Sequence, residues 1–213
     1  MLAALVWLGF VLGLRHALEA DHLATVGSLA SGAGRPVDVL RVAGAWGLGH
    51  AAVLMIVGTA MVSVGATFGP RLTALLEVVA GLVLLGLGVS VLSRLLRPRR
   101  AGASSSSSSS SPLTPSLSRA LAIGGLHGME GSGSVVLIAL PALRSPAHAL
   151  AYLALFGAGS IAGMLACSIL LAAPMKAARR LAWSGWALQL VVGATSVIVG
   201  GSMALRALLS PPY

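Results

Sequence analysis

The stretch GLRHALEADHLA, residues 13–24, places five ionisable side chains inside an otherwise apolar segment. They are Arg15, His16, Glu19, Asp21 and His22. Residues 1–14 and 23–30, on either side of this cluster, contain no ionisable side chain. An ionisable group in the hydrocarbon core of a membrane costs about 2.5–3.5 kcal/mol on insertion scales, so several together indicate a specific role.

The composition places the chain in a membrane. Hydrophobic residues make up 57% of the 213 residues and charged residues 9%, whereas a soluble domain has roughly 25% charged residues. The mean hydropathy is +0.95. The net charge of +9 comes from basic residues between apolar segments, which indicates membrane topology rather than nucleic-acid binding. A single cysteine, Cys167, excludes an internal disulfide and a cysteine-rich metal site.

Apolar runs separated by Gly, Pro, Ser and Arg clusters predict an all-α integral membrane protein with about six transmembrane helices. The expected spans are roughly 3–30, 43–65, 71–95, 118–142, 149–172 and 184–206. Ten Lys and Arg residues lie in or beside the first, third and fifth loops, against three on the opposite side. The positive-inside rule therefore predicts that these loops are cytoplasmic and that both termini lie outside. We expect the membrane to be the bacterial plasma (inner) membrane.

The two halves of the chain resemble each other across a serine-rich loop. Residues 98–117 include eight consecutive serines, which predict a flexible cytoplasmic linker between residues 1–97 and 118–213. In order along the chain, the matching pairs are His16 and His127, Glu19 and Glu130, Gly47 and Gly157, Gly49 and Gly159, Glu77 and Gln189, Gly81 and Gly193, and Gly88 and Gly200. With three spans in each half, this pattern predicts a 3+3 inverted repeat, a common plan for transporters.

Imidazoles with carboxylates suit a borderline divalent ion, whereas an all-oxygen site would favour Mg²⁺ or Ca²⁺. The candidate metal ligands are His16, Asp21, His22 and His50. Candidates for supporting or pathway roles are Glu19, His127, Glu130, Arg15 and Glu77. A role in structural ion pairs explains Arg15 and Glu77 at least as well as a role in metal binding.

A straight first helix would not bring these ligands together. His16 and His22 would lie about 9 Å apart along the helix axis, and Asp21 would point about 100° outside their arc. The sequence therefore predicts either a distorted first helix or ligands shared with His50 and the fourth helix. Non-helical backbone at membrane depth is tolerated where it lines a cavity or is buried in protein.

Three motifs resemble the nickel/cobalt transporter (NiCoT) superfamily. RHALEADH, residues 15–22, resembles its signature H-x4-D-H, with His16, Asp21 and His22 on the fixed positions. GLGHAAV, residues 47–53, resembles its second motif and carries His50. GLHGMEGSGS, residues 125–134, is similar to the segment after the cytoplasmic loop in the shorter, urease-accessory-like branch.

The resemblance implies a secondary transporter that takes up Ni²⁺ or Co²⁺ as its substrate, with no permanent cofactor. The sequence lacks a G-x4-G-K-[ST] phosphate-binding loop, so we expect a permease rather than an enzyme. The expected partners are membrane lipid and the divalent ion, with no nucleic acid. A homo-oligomer or a metallochaperone complex stays open.

The alternative functions are metal efflux by the same site, a haem-binding membrane electron carrier, or a non-transporting membrane subunit for nickel-enzyme maturation. The ligand types do not distinguish nickel from cobalt, because both metals suit imidazole and affinity order does not decide selectivity in cells.

Overall fold

The computed structural model describes residues 2–30, 35–64, 69–96, 116–129, 145–178 and 182–209. Within these ranges the chain forms seven α-helices. They are α1 Leu2–His16, α2 Ala20–Ala30, α3 Pro36–Val64, α4 Pro70–Leu96, α5 Leu117–Gly128, α6 Pro146–Ala178 and α7 Ala182–Leu209.

Four of these helices are long and apolar enough to cross a membrane. The stretches are Val37–Val64, Pro70–Leu96, Pro146–Leu170 and Trp186–Leu209. They correspond to the second, third, fifth and sixth spans expected from the sequence, and they identify the chain as an all-α integral membrane protein. Of the expected fourth span, 118–142, the structure describes α5 and Met129. The rest of that span, and residues 98–115 of the serine-rich linker, lie outside the described residues.

The first expected span is interrupted, as its polar cluster predicts. Helix α1 ends at His16 and α2 begins at Ala20. Between them the chain makes a tighter turn, in which the amides of Leu18 and Glu19 donate to the carbonyls three residues earlier, each at 3.0 Å. The prediction of a distorted first helix is therefore confirmed, since the α-helix is interrupted between His16 and Ala20.

The helices pack in pairs that join distant parts of the sequence. Helix α1 packs against α6, α3 packs against both α5 and α6, and α4 packs against α7. The short helix α2 lies among α3, α4, α6 and α7. Trp46, Met164 and Ala17 belong to one buried apolar cluster in this interior, while Leu54, Tyr152 and Phe156 belong to another.

Glycines allow the paired helices to touch backbone to backbone. A methyl group on Gly13 of α1 would collide with the carbonyl oxygen of Phe156 on α6, and one on Gly124 of α5 would collide with that of Trp46 on α3. The same kind of collision occurs at Gly49 with Leu121, at Gly159 with Phe10, at Gly128 with His50, at Gly81 with Gly200 and at Gly88 with Gly193. Small residues at helix contacts are typical of membrane bundles, where close packing replaces the hydrophobic effect.

The surface of the bundle is apolar and several polar side chains are inside. Val64 and Ile198 are 78% and 68% exposed, whereas His22 and His50 are fully buried. This distribution of apolar and polar side chains is the reverse of that in a soluble protein. It fits a protein surrounded by lipid, in which polar groups must find partners within the protein.

A methyl group added at a crossing point is expected to destabilise the bundle. Gly124→Ala forces α5 away from the Trp46 carbonyl, and overpacking of this kind costs about 1–3 kcal/mol. We expect its melting temperature in detergent, followed by tryptophan fluorescence, to fall by several degrees. Gly86→Ala is the control, since a Cβ there meets nothing within 4 Å. Equal melting temperatures for the two variants would contradict the close crossing of α3 and α5.

Candidate metal site

Three buried histidines from three helices meet at the interruption of the first span. His16 ends α1, His22 lies in the first turns of α2, and His50 lies in the middle of α3. Their ring centroids are 4.2 Å apart for His16 and His22, 5.3 Å for His16 and His50, and 5.2 Å for His22 and His50. One ligand atom from each lies within 4.8 Å of the others, so the three can hold one ion.

Carboxylates face one nitrogen of two of these rings. His16 Nδ1 lies 3.1 Å from Glu19 Oε2, and His22 Nδ1 lies 2.9 Å from Asp21 Oδ2. A carboxylate in this position orients a metal-binding imidazole and raises its basicity. Glu19 is about half exposed, so it approaches the cluster from its edge.

Among the described residues, the other nitrogens of the three rings have no hydrogen-bond partner. Within the described residues, Nε2 of His16, Nε2 of His22 and both nitrogens of His50 are buried and make no hydrogen bond. A buried polar group without a partner costs about 1–3 kcal/mol in proteins, so several together are unfavourable unless something binds them. A metal ion bound by neutral imidazoles would satisfy these nitrogens.

His127 of α5 also lies in this cluster. Its Nε2 is 3.3 Å from Asp21 Oδ2, and its ring centroid is 5.3 Å from that of His22. Asp21, His22 and His127 form a second group whose candidate ligand atoms lie within 4.8 Å of one another. The predicted ligands thus fall into two overlapping groups, and His127, expected in a supporting or pathway role, stands beside Asp21.

Arg15 and Glu77 lie outside these two groups. Arg15 is exposed at the end of α1, and Glu77 is half-buried on α4. Glu130 lies outside the described residues.

Two aromatic residues that the sequence analysis did not single out border the histidines. Trp46 is fully buried, with its ring centroid 5.4 Å from His22, 6.2 Å from His50 and 6.0 Å from His127. Phe156 of α6 lies 5.4 Å from His16. The available signal for Trp46 was its place one helical turn before His50, which puts both on the same face of α3.

The cluster has the chemistry of a site for a borderline divalent ion. Neutral imidazole suits Co²⁺, Ni²⁺, Cu²⁺ and Zn²⁺, and the neighbouring carboxylates add negative charge that favours binding of a dication.

The chain is similar to urease accessory protein UreH from Bacillus sp. (strain TB-90). The two are 27% identical over 184 residues, which is 84% of this chain and 81% of the relative. This relationship confirms the resemblance to the urease-accessory-like branch. No family model matches the chain, and no solved structure matches it either.

Binding of a paramagnetic ion in the cluster is expected to quench Trp46. Adding Co²⁺ to the purified protein should lower its tryptophan fluorescence, and Trp46→Phe should remove most of that decrease because Trp46 borders three of the histidines. Trp186→Phe is the control, since Trp186 is half-exposed on the outer surface of α7. If the decrease is the same in Trp46→Phe as in the wild type, Co²⁺ does not bind at these histidines.

Proposed function

We propose that this integral membrane protein is a permease for Ni²⁺ or Co²⁺, and that it carries the ion into the cytoplasm. The observation that carries the proposal is the group formed by His16, His22 and His50, in which buried nitrogens from three helices converge without hydrogen-bond partners. A site with these properties inside a membrane bundle suits an ion in transit, since intramembrane ionisable groups mark ion pathways.

Two independent observations favour nickel or cobalt as the transported ion. Imidazole ligands favour the later first-row metals over Mg²⁺ and Ca²⁺. The relative is named as an accessory protein of urease, and urease is a nickel enzyme, so supply of nickel to such an enzyme fits the relationship.

Uptake needs no nucleotide. A negative-inside membrane potential of 100 mV provides about 2.3 kcal/mol per elementary charge, hence about 4.6 kcal/mol for a divalent cation. This is enough to drive accumulation of the ion, and the same site would support efflux only against that potential.

A non-transporting membrane subunit for nickel-enzyme maturation is the second candidate, because the relative is named an accessory protein rather than a transporter. The haem alternative is not favoured by the ring packing. His16 and His22 are in direct edge contact, and His50 lies about 5 Å from both, so no porphyrin plane fits between them.

Equivalent contacts in the two halves support a 3+3 inverted repeat. The repeat seen in the sequence aligns Gly13 with Gly124, and Trp46 with Phe156. The structure has Gly13 against the Phe156 carbonyl and Gly124 against the Trp46 carbonyl, so exchanging the halves turns one contact into the other. The same exchange relates the contact of Gly49 with Leu121 to that of Gly159 with Phe10, and the contact of Gly81 with Gly200 to that of Gly88 with Gly193.

Transport is expected to depend on the cluster and not on histidine in general. In proteoliposomes with a negative-inside potential, we expect His50→Ala to lower Ni²⁺ and Co²⁺ uptake at least tenfold, since the loss even of a group that supports a ligand costs about 10–100-fold. His148→Ala is the matched control, because His148 sits at the start of α6, hydrogen bonded to the Ser145 side chain.

Wild-type rates in His50→Ala would refute the assignment of this residue. Tight Ni²⁺ binding by wild-type protein that shows no flux would instead favour the maturation subunit. Mg²⁺ and Mn²⁺ in parallel assays test the preference for borderline metals.

The proposed orientation, with both termini outside and the serine-rich loop in the cytoplasm, is tested by cysteine labelling. Cys167→Ala removes the only native thiol, and Ser107→Cys or Gly69→Cys then introduces one on each expected side. A membrane-impermeant maleimide added to intact cells should label Gly69→Cys and reach Ser107→Cys only after the membrane is opened. Gly69 is exposed, and an added Cβ there meets none of the described residues within 4 Å. The opposite labelling pattern would overturn the orientation.

A further inference from the structure

The two groups of metal-ligating side chains share one residue, His22. The first, which we call the imidazole group, consists of His16, His22 and His50; the second, the carboxylate group, consists of Asp21, His22 and His127. The imidazole group is built entirely by the first half of the chain. The carboxylate group joins the first half to the second through α5, which carries His127.

The carboxylate group comes close to the spacing that a bound ion requires. Asp21 Oδ2 lies 2.9 Å from His22 Nδ1 and 3.3 Å from His127 Nε2. Metal–ligand bonds of about 2.0–2.2 Å in a tetrahedral site place neighbouring ligand atoms about 3.3–3.6 Å apart. The distance from Asp21 to His127 already fits, and the distance from Asp21 to His22 must open by about 0.5 Å for an ion to enter.

The backbone holds the two groups next to each other. Asp21 and His22 are consecutive on α2. The Asp21 carboxylate lies beside His127, and the His22 ring lies 5.3 Å from the ring of His127 and 5.2 Å from that of His50. On the opposite side, Gly128 packs against the backbone of His50, because a Cβ at Gly128 would lie 2.5 Å from the His50 carbonyl oxygen. This contact keeps His127 of one group beside His50 of the other.

We infer that Asp21, His22 and His127 form a second ion-binding position, and that one ion passes between it and the imidazole group by ligand exchange about His22. The inference rests on the proposed function in treating the ion as cargo. A neutral imidazole offers a single lone pair, so His22 binds in one position at a time and the cluster holds one ion.

A shared ligand makes the transfer stepwise. As the ion leaves His16, His50 and Nε2 of His22, it gains Asp21, His127 and Nδ1 of His22. The ring proton of His22 moves from Nδ1 to Nε2 in the same step, so that His22 stays a neutral imidazole and no proton is gained or lost. The second position has a carboxylate among its ligands, whereas the ligands of the imidazole group are all neutral, and this negative charge attracts the dication.

The test is Co²⁺ binding by the full chain in detergent, with absorption spectra for stoichiometry and X-ray absorption for the number of imidazole ligands. We expect one Co²⁺ per chain in the wild type. His50→Ala and His127→Ala should each still bind one Co²⁺, in different positions, with more imidazole ligands in His127→Ala than in His50→Ala. His22→Ala and the double variant His50→Ala/His127→Ala should lose binding at least a hundredfold.

Transport assays distinguish an ion-binding role for His127 from a purely structural one. We expect His127→Ala to bind Co²⁺ and to lose at least tenfold in proteoliposome uptake, with His148→Ala as the control. His127→Gln, which keeps a polar side chain in the same space, should show the same loss, and tryptophan-fluorescence melting curves check that each variant is folded.

Two results would overturn the inference. One is wild-type uptake by folded His127→Ala, which means that the ion does not need this position. The other is loss of all binding in His50→Ala, as in His22→Ala, which means that a single site uses all the ligands together. Failure of the proposed function gives a different result. In that case the wild-type protein shows no flux, but the differences in Co²⁺ binding among the variants stay the same.

Discussion

The helices that carry the histidines cross with no space for a methyl group between their backbones, and the arrangement of the cluster depends on this closeness. Gly124 and Gly128 bring α5 against the carbonyls of Trp46 and His50 on α3. At the same time Gly13 and Gly159 bring α1 against α6. Larger residues at these points would separate the helices by several ångströms, and imidazoles on different helices would no longer reach a common ion.

The second requirement is the turn that separates α1 from α2. A continuous helix would hold His16 and His22 about 120° apart around its axis and more than a turn apart along it, too far for a shared ligand position. The turn at residues 17–19 brings their rings into edge contact. Within the described residues, the cluster has several buried nitrogens without hydrogen bonds, so its polar atoms are arranged for an ion rather than for one another.

The two halves are related in sequence, yet they contribute unequally to the cluster. Under the proposed repeat, His16 and His127 are equivalent, but the counterpart of His50 is Ser160, a fully buried hydroxyl on α6. Trp46 likewise corresponds to Phe156, and each borders a histidine. The first half therefore provides most of the ligands, while the second provides close packing and His127. An unequal site of this kind gives the ion different surroundings on the two sides of His22.

The sequence by itself determined the class of the protein and much of its site. Hydropathy alone predicts the membrane helices, because about 20 apolar residues are needed to span the hydrocarbon core. The spacing of His16, Asp21 and His22 predicts the interrupted first helix, because helical geometry is local and follows from residue numbers. The sequence also suggested His127, on the strength of its match with His16, without showing how near it lies to Asp21.

Only the tertiary structure decided which ligands stand together. The grouping of Asp21 with His127, the place of Trp46 between three histidines and the exposure of Arg15 depend on how far apart the helices lie and how they are rotated. Those distances come from backbone contacts between glycines and residues more than 70 positions away in the chain, such as Gly124 with Trp46. No local pattern encodes such contacts, because each glycine is compatible with many neighbours until the whole bundle is packed.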